Sequence, residues 1–145
     1  MLYISHRGNL NGINKELENK PSYIFNALEQ NFDVEVDIWL AKGKFYLGHD
    51  EPIDLVDNKF LQIKRLWFHA KNVEAFSELL KLNVNCFWHQ NDDVTLTSNG
   101  FIWTYPGKQL TSNSICVLPE LNNIKIFNCA GICSDFILDY YNEKN

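Results

Sequence analysis

The sequence predicts an α/β fold built around a parallel β-sheet, on three observations. Short runs of β-branched and aromatic residues recur along all 145 residues, each followed by polar or turn-forming residues. Two segments with helical periodicity connect successive strand candidates, which is the pattern of βαβ units with right-handed crossovers. Polar side chains cluster where the strand candidates end, as they do at sites built on parallel sheets.

Seven strand candidates stand out, and an eighth is weaker. In chain order the seven are Leu2–His6, Val34–Ile38, Leu66–His69, Val84–Trp88, Phe101–Thr104, Ile115–Leu118 and Gly131–Ser134; the weaker one is Ile124–Phe127. The segment Lys44–Gly48 follows a glycine-centred turn and is predicted to form a small antiparallel excursion after the second strand. No linker or repeat separates these elements, so we expect a single domain over residues 1–145.

Two helices are predicted between strands. Pro21 is favoured at the start of the first helix, and Asn72 is a favoured N-cap for the second. The apolar positions that share one face are Ile24, Ala27 and Leu28 in the first helix, and Val73, Phe76, Leu79 and Leu80 in the second.

The chain is short for eight strands with eight full helices, which need roughly 200 residues. Several helices must therefore be reduced to loops. The segments Gln90–Gly100 and Tyr105–Ser114 are too short and too polar for a full covering helix. We expect parts of the outer surface to be bare or covered by a partner subunit, which makes a homo-oligomer plausible.

Composition excludes several classes of protein. Apolar residues make up 46% and charged residues 21%, the balance of a soluble globular chain. A net charge of −5 without a basic run argues against a nucleic-acid partner. No segment approaches the roughly 20 apolar residues that cross a bilayer, and the first residues do not resemble a signal peptide. We therefore expect a cytoplasmic protein without stable membrane insertion, whose four cysteines are buried thiols.

Polar and charged residues lie at or just beyond the carboxyl ends of the strand candidates. They are His6, Arg7, Glu35, Asp37, His69, Lys71, His89, Tyr105, Glu120 and Asp135. The carboxyl ends of parallel strands meet at one edge, where sites are built. The pattern therefore predicts one functional site formed by these side chains.

The stretch VEVDIWL places Glu35 and Asp37 two residues apart on a strand, so both side chains point to the same face. Two carboxylates this close repel each other unless a cation sits between them, and a divalent ion with oxygen ligands is the usual solution. The alternative is an acidic surface strand, in which Val34, Val36 and Ile38 alone would cover the opposite face. The spacing favours a metal site.

The stretch FYLGHDEP places His49 and Asp50 after the antiparallel excursion, where Gly48 allows a close approach of the backbone. A lone histidine is more often packed or solvated than catalytic. His6 and the two carboxylates are expected at the same edge, which favours a functional role for His49.

Four short motifs match a known family in both order and spacing: HRG, EN, EVD and GHD at residues 6–8, 18–19, 35–37 and 48–50. They resemble the signature of glycerophosphodiester phosphodiesterases, members of the phosphatidylinositol-phospholipase-C-like superfamily of TIM barrels. AGICSDF resembles that family's last barrel strand, and IWTYP resembles its tryptophan-bearing strand. The resemblance implies a small, truncated TIM-type (β/α) barrel of seven or eight parallel strands, with several reduced or missing helices.

The resemblance also implies roles for individual residues. His6 and His49 would be the general acid–base pair, and Arg7 would contact the phosphate. Glu35 and Asp37 would bind a divalent ion, Mg²⁺ or Ca²⁺ in this family. The implied activity is metal-dependent hydrolysis of a phosphodiester by a glycerophosphodiester phosphodiesterase-like enzyme.

The sequence departs from the family at the next strand, where a Glu-x-Lys normally supplies the third acidic ligand. Here the strand reads WFHAKN, so Lys71 matches as a second phosphate contact and His69 stands in place of the glutamate. Imidazole suits zinc, manganese or iron better than calcium. Either His69 binds such an ion, or Glu120 reaches in from another strand, or the ion arrives with the substrate; we favour His69.

Several other side chains are candidates for the pocket wall: Glu18, Asp50, His89, Trp103, Tyr105 and Glu120. His89 is equally a substrate contact or a structural residue. Trp103 and Tyr105 are of a type that is more often core, but they lie near the strand edge. Asp135 is interpreted as a cap of the last turn.

The sequence therefore predicts a metal-dependent phosphodiesterase that acts on a small glycerophosphodiester-like molecule, with water or a neighbouring substrate hydroxyl as the attacking group. The chain has no room for a substrate-capping insertion, so the substrate should be small or held with a partner's help. The main alternative is a noncatalytic module that binds a phosphorylated headgroup or sugar phosphate. A purely structural domain would leave the clustering of polar residues unexplained.

Overall fold

The computed structural model describes residues 1–122, 126 and 128–143. Apart from position 126, the weak strand candidate Ile124–Phe127 lies outside the described residues. No helix in the described part of the chain is long and apolar enough to cross a membrane.

Ten strands form within the described residues. They are β1 Leu2–His6, β2 Asp33–Ala41, β3 Lys44–Leu47, β4 Asp54–Val56, β5 Leu66–Ala70, β6 Cys86–Phe87, β7 Val94–Leu96, β8 Ile102–Thr104, β9 Ser114–Val117 and β10 Gly131–Ser134. The helices are α1 Pro21–Glu29, α2 Asn58–Leu61, α3 Val73–Lys81 and α4 Ile137–Asn142, with a 3₁₀ turn at Pro119–Asn122.

The sheet is mostly parallel, which confirms the predicted α/β class. Seven strands run parallel in the order β6-β5-β2-β1-β10-β9-β8, so the first and last strands of the chain are neighbours at its centre. The hairpin of β3 and β4 adds to β2 in the antiparallel sense, which confirms the predicted excursion. Among the described strands β6 does not pair with β8, so the sheet is not closed and a TIM barrel is not confirmed.

A short segment lies between the two outer parallel strands. β7 pairs with β8 in the antiparallel sense. On its other side, the Ser98 amide donates to the Cys86 carbonyl over 2.8 Å, and the Thr95 hydroxyl donates to the Trp88 carbonyl over 2.8 Å. This segment was predicted as a loop without a strand. Three residues, of which Val94 and Leu96 are exposed and Thr95 is half-buried, leave too little apolar alternation to mark a strand in the sequence.

The structure corrects three kinds of prediction: a strand boundary, the burial of two side chains, and short elements that the sequence did not reveal. The candidate Val84–Trp88 is a strand only over β6, because the residues that flank β6 do not pair in register with β5. Leu80 and Val73 were predicted on the buried face of α3, but they are 48% and 67% exposed. The short elements β4, α2 and α4 were not predicted, since each has six residues or fewer and too few apolar repeats for a periodicity to show.

The two faces of the sheet carry different residues, and β2 shows the division. Val34, Val36 and Ile38 are fully buried in the core between the sheet and the helices. Glu35 and Asp37 point to the opposite face of the sheet, as the alternation predicts. A second apolar cluster lies on the same face as these carboxylates: Ile4, Trp67, Phe87, Trp103, Ile115, Val117 and Cys133.

Asn72 joins α3 to the sheet. As predicted, it caps the helix, with its side-chain oxygen accepting from the Ala75 amide. The same oxygen accepts from the Leu40 amide over 3.0 Å, and its amide nitrogen donates to the Leu40 carbonyl over 2.8 Å. One side chain therefore fixes the start of α3 against the end of β2.

The substitution Asn72→Ala should lower the free energy of unfolding by about 2 kcal/mol, because it removes a helix cap and leaves both Leu40 backbone groups without their partner. Urea titration followed by far-UV circular dichroism measures the change. Asn58→Ala, at an exposed position in α2, is the matched control and should change stability by less than about 0.5 kcal/mol. Equal losses in the two variants would contradict this role of Asn72.

Candidate functional site

A cavity of about 510 Å³ opens at the carboxyl end of the parallel strands. Most of the residues predicted for the site line it: His6, Arg7, Glu18, Glu35, His49, His69, Lys71, His89, Trp103 and Tyr105. Asp37 lies fully buried beneath Arg7 and Lys71. The two imidazoles, the acidic pair and the basic side chains therefore converge on one side of the molecule.

His6 is held by a carboxylate from the neighbouring strand. Because Ser5 pairs with Ser134, the ends of β1 and β10 lie side by side, and Nδ1 of His6 donates to Oδ1 of Asp135 over 2.7 Å. The Asn9 amide donates to the same oxygen over 2.8 Å. Asp135 was predicted to cap the last turn. That interpretation is wrong, because its side chain pairs with the histidine of the site.

The partners of His6 control its proton affinity. Burial acts to lower the pKa of His6, but the hydrogen bond to Asp135 and the negative charge of Glu35 outweigh burial, and the pKa is raised. Nε2 lies 3.8 Å from the Glu35 carboxylate. With Nδ1 committed to Asp135, Nε2 is the ring atom left to exchange a proton in the cavity.

Arg7 turns back into the site through an unusual backbone conformation. Its φ is 54°, in the left-handed region, which costs about 1–2 kcal/mol for a residue with a Cβ. Nε lies 2.8 Å from the Asp37 carboxylate, and Nη1 donates to Glu18 over 3.3 Å. Burial acts to lower the pKa of Arg7, but the charges of Asp37, Glu35 and Glu18 raise it, so the guanidinium stays charged.

Asp37 is a buried carboxylate surrounded by cations. Its second oxygen, Oδ1, lies 3.1 Å from Nδ1 of His69 and 3.5 Å from Nζ of Lys71. The side-chain oxygen of Asn19 accepts a hydrogen bond from the Asp37 backbone amide over 2.8 Å. The side-chain nitrogen of Asn19 donates to the Asp37 carboxylate over 2.9 Å. Burial acts to raise the pKa of Asp37, but His69, Arg7 and Lys71 lower it well below its ordinary value.

Glu35, Asp37 and His69 could together hold a metal ion. One ligand atom from each lies within 4.8 Å of the others, and Asp37 faces His69 across the pairing of β2 and β5. Glu35 Oε2 is buried and accepts no hydrogen bond from the described part of the chain, and Asp37 Oδ1 has only the ion-pair contacts with His69 and Lys71. Two carboxylates and an imidazole suit Mn²⁺, Fe²⁺ or Zn²⁺, so the residues fit a divalent ion.

The orientation of His69 also suits a ligand. Its Nε2 donates to the His89 carbonyl over 2.9 Å, which leaves Nδ1 facing the two carboxylates. Burial acts to lower the pKa of His69, but Asp37 and Glu35 raise it to about 9. At neutral pH a proton on Nδ1 would therefore compete with any metal ion for the same position.

His49 lies on a loop that β2 holds in place. The Gly48 amide donates to the Asp37 carbonyl over 3.1 Å, and the Trp39 indole donates to the Gly48 carbonyl over 2.7 Å. A Cβ on Gly48 would lie 2.0 Å from the Glu51 carbonyl oxygen, so only glycine fits. The histidine that follows is 44% exposed.

Two predicted pocket residues lie elsewhere. Asp50, with a side chain 92% exposed, accepts from Nδ1 of His49 over 2.7 Å and lines an adjacent cavity instead. The Glu120 carboxylate accepts from the Ser134 hydroxyl and the Asp135 amide, both over 3.0 Å. Glu120 supports the loop that carries Asp135, and it lies outside the metal-ligand group found in the described residues.

The cavity lining also contains residues with large apolar surfaces. They are Trp103, Tyr105, Pro106, Val117, Leu118 and Leu121, and the buried His89 also lines the cavity. Trp103 stacks on Phe87 at 4.5 Å between ring centroids, so it serves the core and the pocket at once. The cavity lining therefore combines charged and apolar side chains.

A larger cavity, of about 930 Å³, lies between α1, α2 and the β3–β4 hairpin. Its lining contains no histidine, and its one carboxylate, Asp57, caps α2 by accepting from the Phe60 amide over 2.9 Å. This lining offers no acid–base pair and no metal ligands beyond Asp57, so the smaller cavity is the candidate site.

The sequence analysis missed the two asparagines that hold the acidic groups. Asn9 donates to both Glu18 and Asp135, and Asn19 holds Asp37. Asn19 has a φ of 61°, a conformation that asparagine tolerates better than most residues. The signal was present in the motif EN, where only the glutamate was considered.

Comparisons with known proteins add nothing to this geometry. No family model, no curated protein and no solved structure matches this chain.

The substitution Asp135→Asn should lower the pKa of His6, because it replaces the negative charge that stabilises the imidazolium with a neutral amide. NMR titration of the histidine ring protons measures the shift. Asp139→Asn, in α4 and away from the cavity lining, is the control and should leave the His6 pKa unchanged. An unchanged His6 pKa in Asp135→Asn would show that the carboxylate does not set its proton affinity.

If His69 is a metal ligand, Mn²⁺ affinity should rise by about tenfold per pH unit from about pH 6.5 to about pH 8.5, because binding displaces a proton with a pKa of about 9. Isothermal titration calorimetry measures this affinity. Glu35→Gln should abolish binding, and Glu78→Gln, on the surface of α3, should not. A pH-independent affinity over this range would exclude the imidazole as a ligand.

Proposed function

We propose that this protein is a metal-dependent phosphodiester hydrolase that acts on a small glycerophosphodiester-like substrate by histidine acid–base catalysis. The observation that carries the proposal is one cavity whose lining includes His6 and His49 together with the cations Arg7 and Lys71, beside the candidate group of metal ligands found in the described residues. The motif resemblance to glycerophosphodiester phosphodiesterases supports the same activity.

The proposal includes a truncated TIM-type barrel as the scaffold. Seven parallel strands with the first and last at the centre of the order support it. The segment of residues 94–98, which bonds to β6 on one side and β8 on the other, would stand in for a missing strand. Self-association and a cytoplasmic location remain predictions from the sequence.

Arg7 and Lys71 would bind the phosphate. A phosphodiester carries one negative charge, and hydrolysis develops further charge on its oxygens in the transition state. The Arg7 guanidinium and the Lys71 ammonium group both form ion pairs with the buried Asp37 carboxylate, and both residues line the cavity. Preorganised charges in a partly enclosed site stabilise developing charge more than they would in water.

Glu35, Asp37 and His69 would hold the divalent ion. When bound there, such an ion supplies Lewis-acid polarisation of a phosphoryl oxygen. The family resemblance favours Mg²⁺ or Ca²⁺, whereas the imidazole in the ligand set favours Mn²⁺ or Zn²⁺.

His6 would act on the attacking side and His49 on the leaving group. The neutral His6 ring carries its proton on Nδ1, donated to Asp135, so Nε2 is free to take a proton from the attacking hydroxyl. His49 has the same arrangement with Asp50, also at 2.7 Å, but on an exposed loop. Its Nε2, when protonated, can donate to the departing alkoxide.

A noncatalytic module that binds a phosphorylated headgroup or sugar phosphate is the second candidate. One observation favours it: Arg7 and Lys71 already balance the charge of Asp37, and a protonated His69 would balance Glu35 without an ion. Against it, two imidazoles that each pair with an aspartate through Nδ1 serve proton transfer better than binding alone.

The decisive assay is a panel of glycerophosphodiesters and synthetic phosphodiesters, each tested with Mg²⁺, Ca²⁺, Mn²⁺ or Zn²⁺ and with a chelator. Alcohol release that the chelator abolishes is expected. His6→Ala and His49→Ala should each lower kcat by at least about a hundredfold, with metal affinity little altered, because each removes one proton-transfer group.

Asn99→Ala, exposed and absent from the cavity lining, is the control for handling and folding. Wild-type turnover in both histidine variants would rule out this mechanism. Tight binding of the same esters without alcohol release would favour the binding module.

A further inference from the structure

The strand β4 leaves one edge of the sheet open. It lies at the end of the strand order and pairs only with β3 among the described strands. In an antiparallel pair, alternate residues direct their backbone N–H and C=O groups away from the neighbouring strand. Apart from the ladder with β3, the described residues make no hydrogen bond to the backbone of Asp54–Val56. An open edge of this kind is a template for pairing with another strand.

Large apolar side chains are exposed beside this edge. Ile53 directly precedes β4 and is 60% exposed, and Leu55, in the middle of β4, is 56% exposed. Leu55 also lines the cavity of about 930 Å³, where Phe25 of α1 is 45% exposed. The other large apolar residues of that lining are Phe45, Val56, Phe60 and Ile63. Exposed apolar side chains grouped around an open strand edge indicate a protein partner.

The charges around this edge are of both signs, and they lack partners in the described part of the chain. Lys44 and Lys59 are exposed, line the same cavity and form no ion pair with a described carboxylate. Asp54 in β4 and Glu51 before it form no ion pair with a described cation. The partner strand that suits this groove is extended, apolar and acidic, and residues 51–56 themselves have that character.

We propose that the chain forms a homodimer in which β4 pairs in the antiparallel sense with β4 of a second copy, across a two-fold axis near Leu55. A two-fold interface must be complementary to itself, and this surface carries both the acidic strand and the groove with two cations. The exposed apolar side chains pack across the axis, and the carboxylates of each copy compensate the lysines of the other. This interface is independent of the proposed function, because none of these residues lines the candidate site.

The pairing also restrains the loop that carries His49. Residues 48–53 join β3 to β4, and the Ile53 amide donates to the Leu47 carbonyl over 2.9 Å at the base of this loop. A strand added to the open edge of β4 holds the hairpin from the side opposite β3. Dimerisation therefore stabilises the hairpin on which His49 lies.

Sedimentation velocity of the intact protein tests the dimer. Between about 1 μM and about 1 mM, the wild-type protein should shift from monomer to dimer as its concentration rises. Leu55→Lys should raise the dimer Kd by at least about tenfold, because it places a charge in the apolar centre of the interface. Leu96→Lys is the matched control, since Leu96 on β7 is 67% exposed and lines neither cavity, and it should leave the Kd unchanged.

Leu55→Cys gives a second test that does not depend on disrupting the dimer. Residues that oppose each other in an antiparallel pair have Cα atoms about 4.5–5.5 Å apart, which a disulfide can span. Mild oxidation should therefore yield a disulfide-linked dimer of Leu55→Cys on nonreducing gels. Leu96→Cys and the wild-type protein are the controls and should remain single chains.

Three results would overturn the inference. The first is a wild-type protein that stays monomeric up to about 1 mM. The second is a dimer that Leu55→Lys weakens no more than Leu96→Lys does, which would show that another surface forms it. The third is oxidation that links Leu96→Cys as readily as Leu55→Cys, which would show that the cross-link forms through random collisions.

Discussion

The negative charge of Asp37, buried at the carboxyl end of β2, is the constraint around which the site is organised. A buried carboxylate is stable only when hydrogen bonds and cations compensate for its lost hydration. Here the compensation comes from three parts of the chain: Arg7 after β1, Asn19 before α1, and His69 with Lys71 on and after β5. The requirement to neutralise one charge thus fixes the positions of residues far apart in sequence.

The same charge accounts for the two chemical states that the site can adopt. With His69 protonated, its imidazolium lies between the carboxylates of Asp37 and Glu35, and the site is balanced by protein cations alone. With His69 neutral, Nδ1 and the carboxylate oxygens form a ligand set for a divalent ion. A divalent ion bound there, as we propose, would compete with a proton for one position, which would link metal binding to pH.

The cavity lining combines these charged groups with apolar side chains, among them Trp103, Val117 and Leu121. Two of the described non-glycine residues with a left-handed backbone line this cavity: Arg7 and Leu118, with φ values of 54° and 44°. Such conformations are found where a function requires a particular side-chain direction. For Arg7, the consequence is that two consecutive residues, His6 and Arg7, both reach the same cavity.

Local pattern in the sequence determined the elements that carry the site and the face on which the acidic pair lies. The alternation in VEVDIWL placed Glu35 and Asp37 opposite the valines, and polar residues at strand ends marked the edge, because both signals arise from neighbouring residues. Tertiary structure alone decided that Asp135 pairs with His6 across 129 positions, that Glu120 supports this loop, and that the sheet stays open between β6 and β8. These outcomes depend on which strands become neighbours and how buried charges are balanced, and no local pattern encodes either.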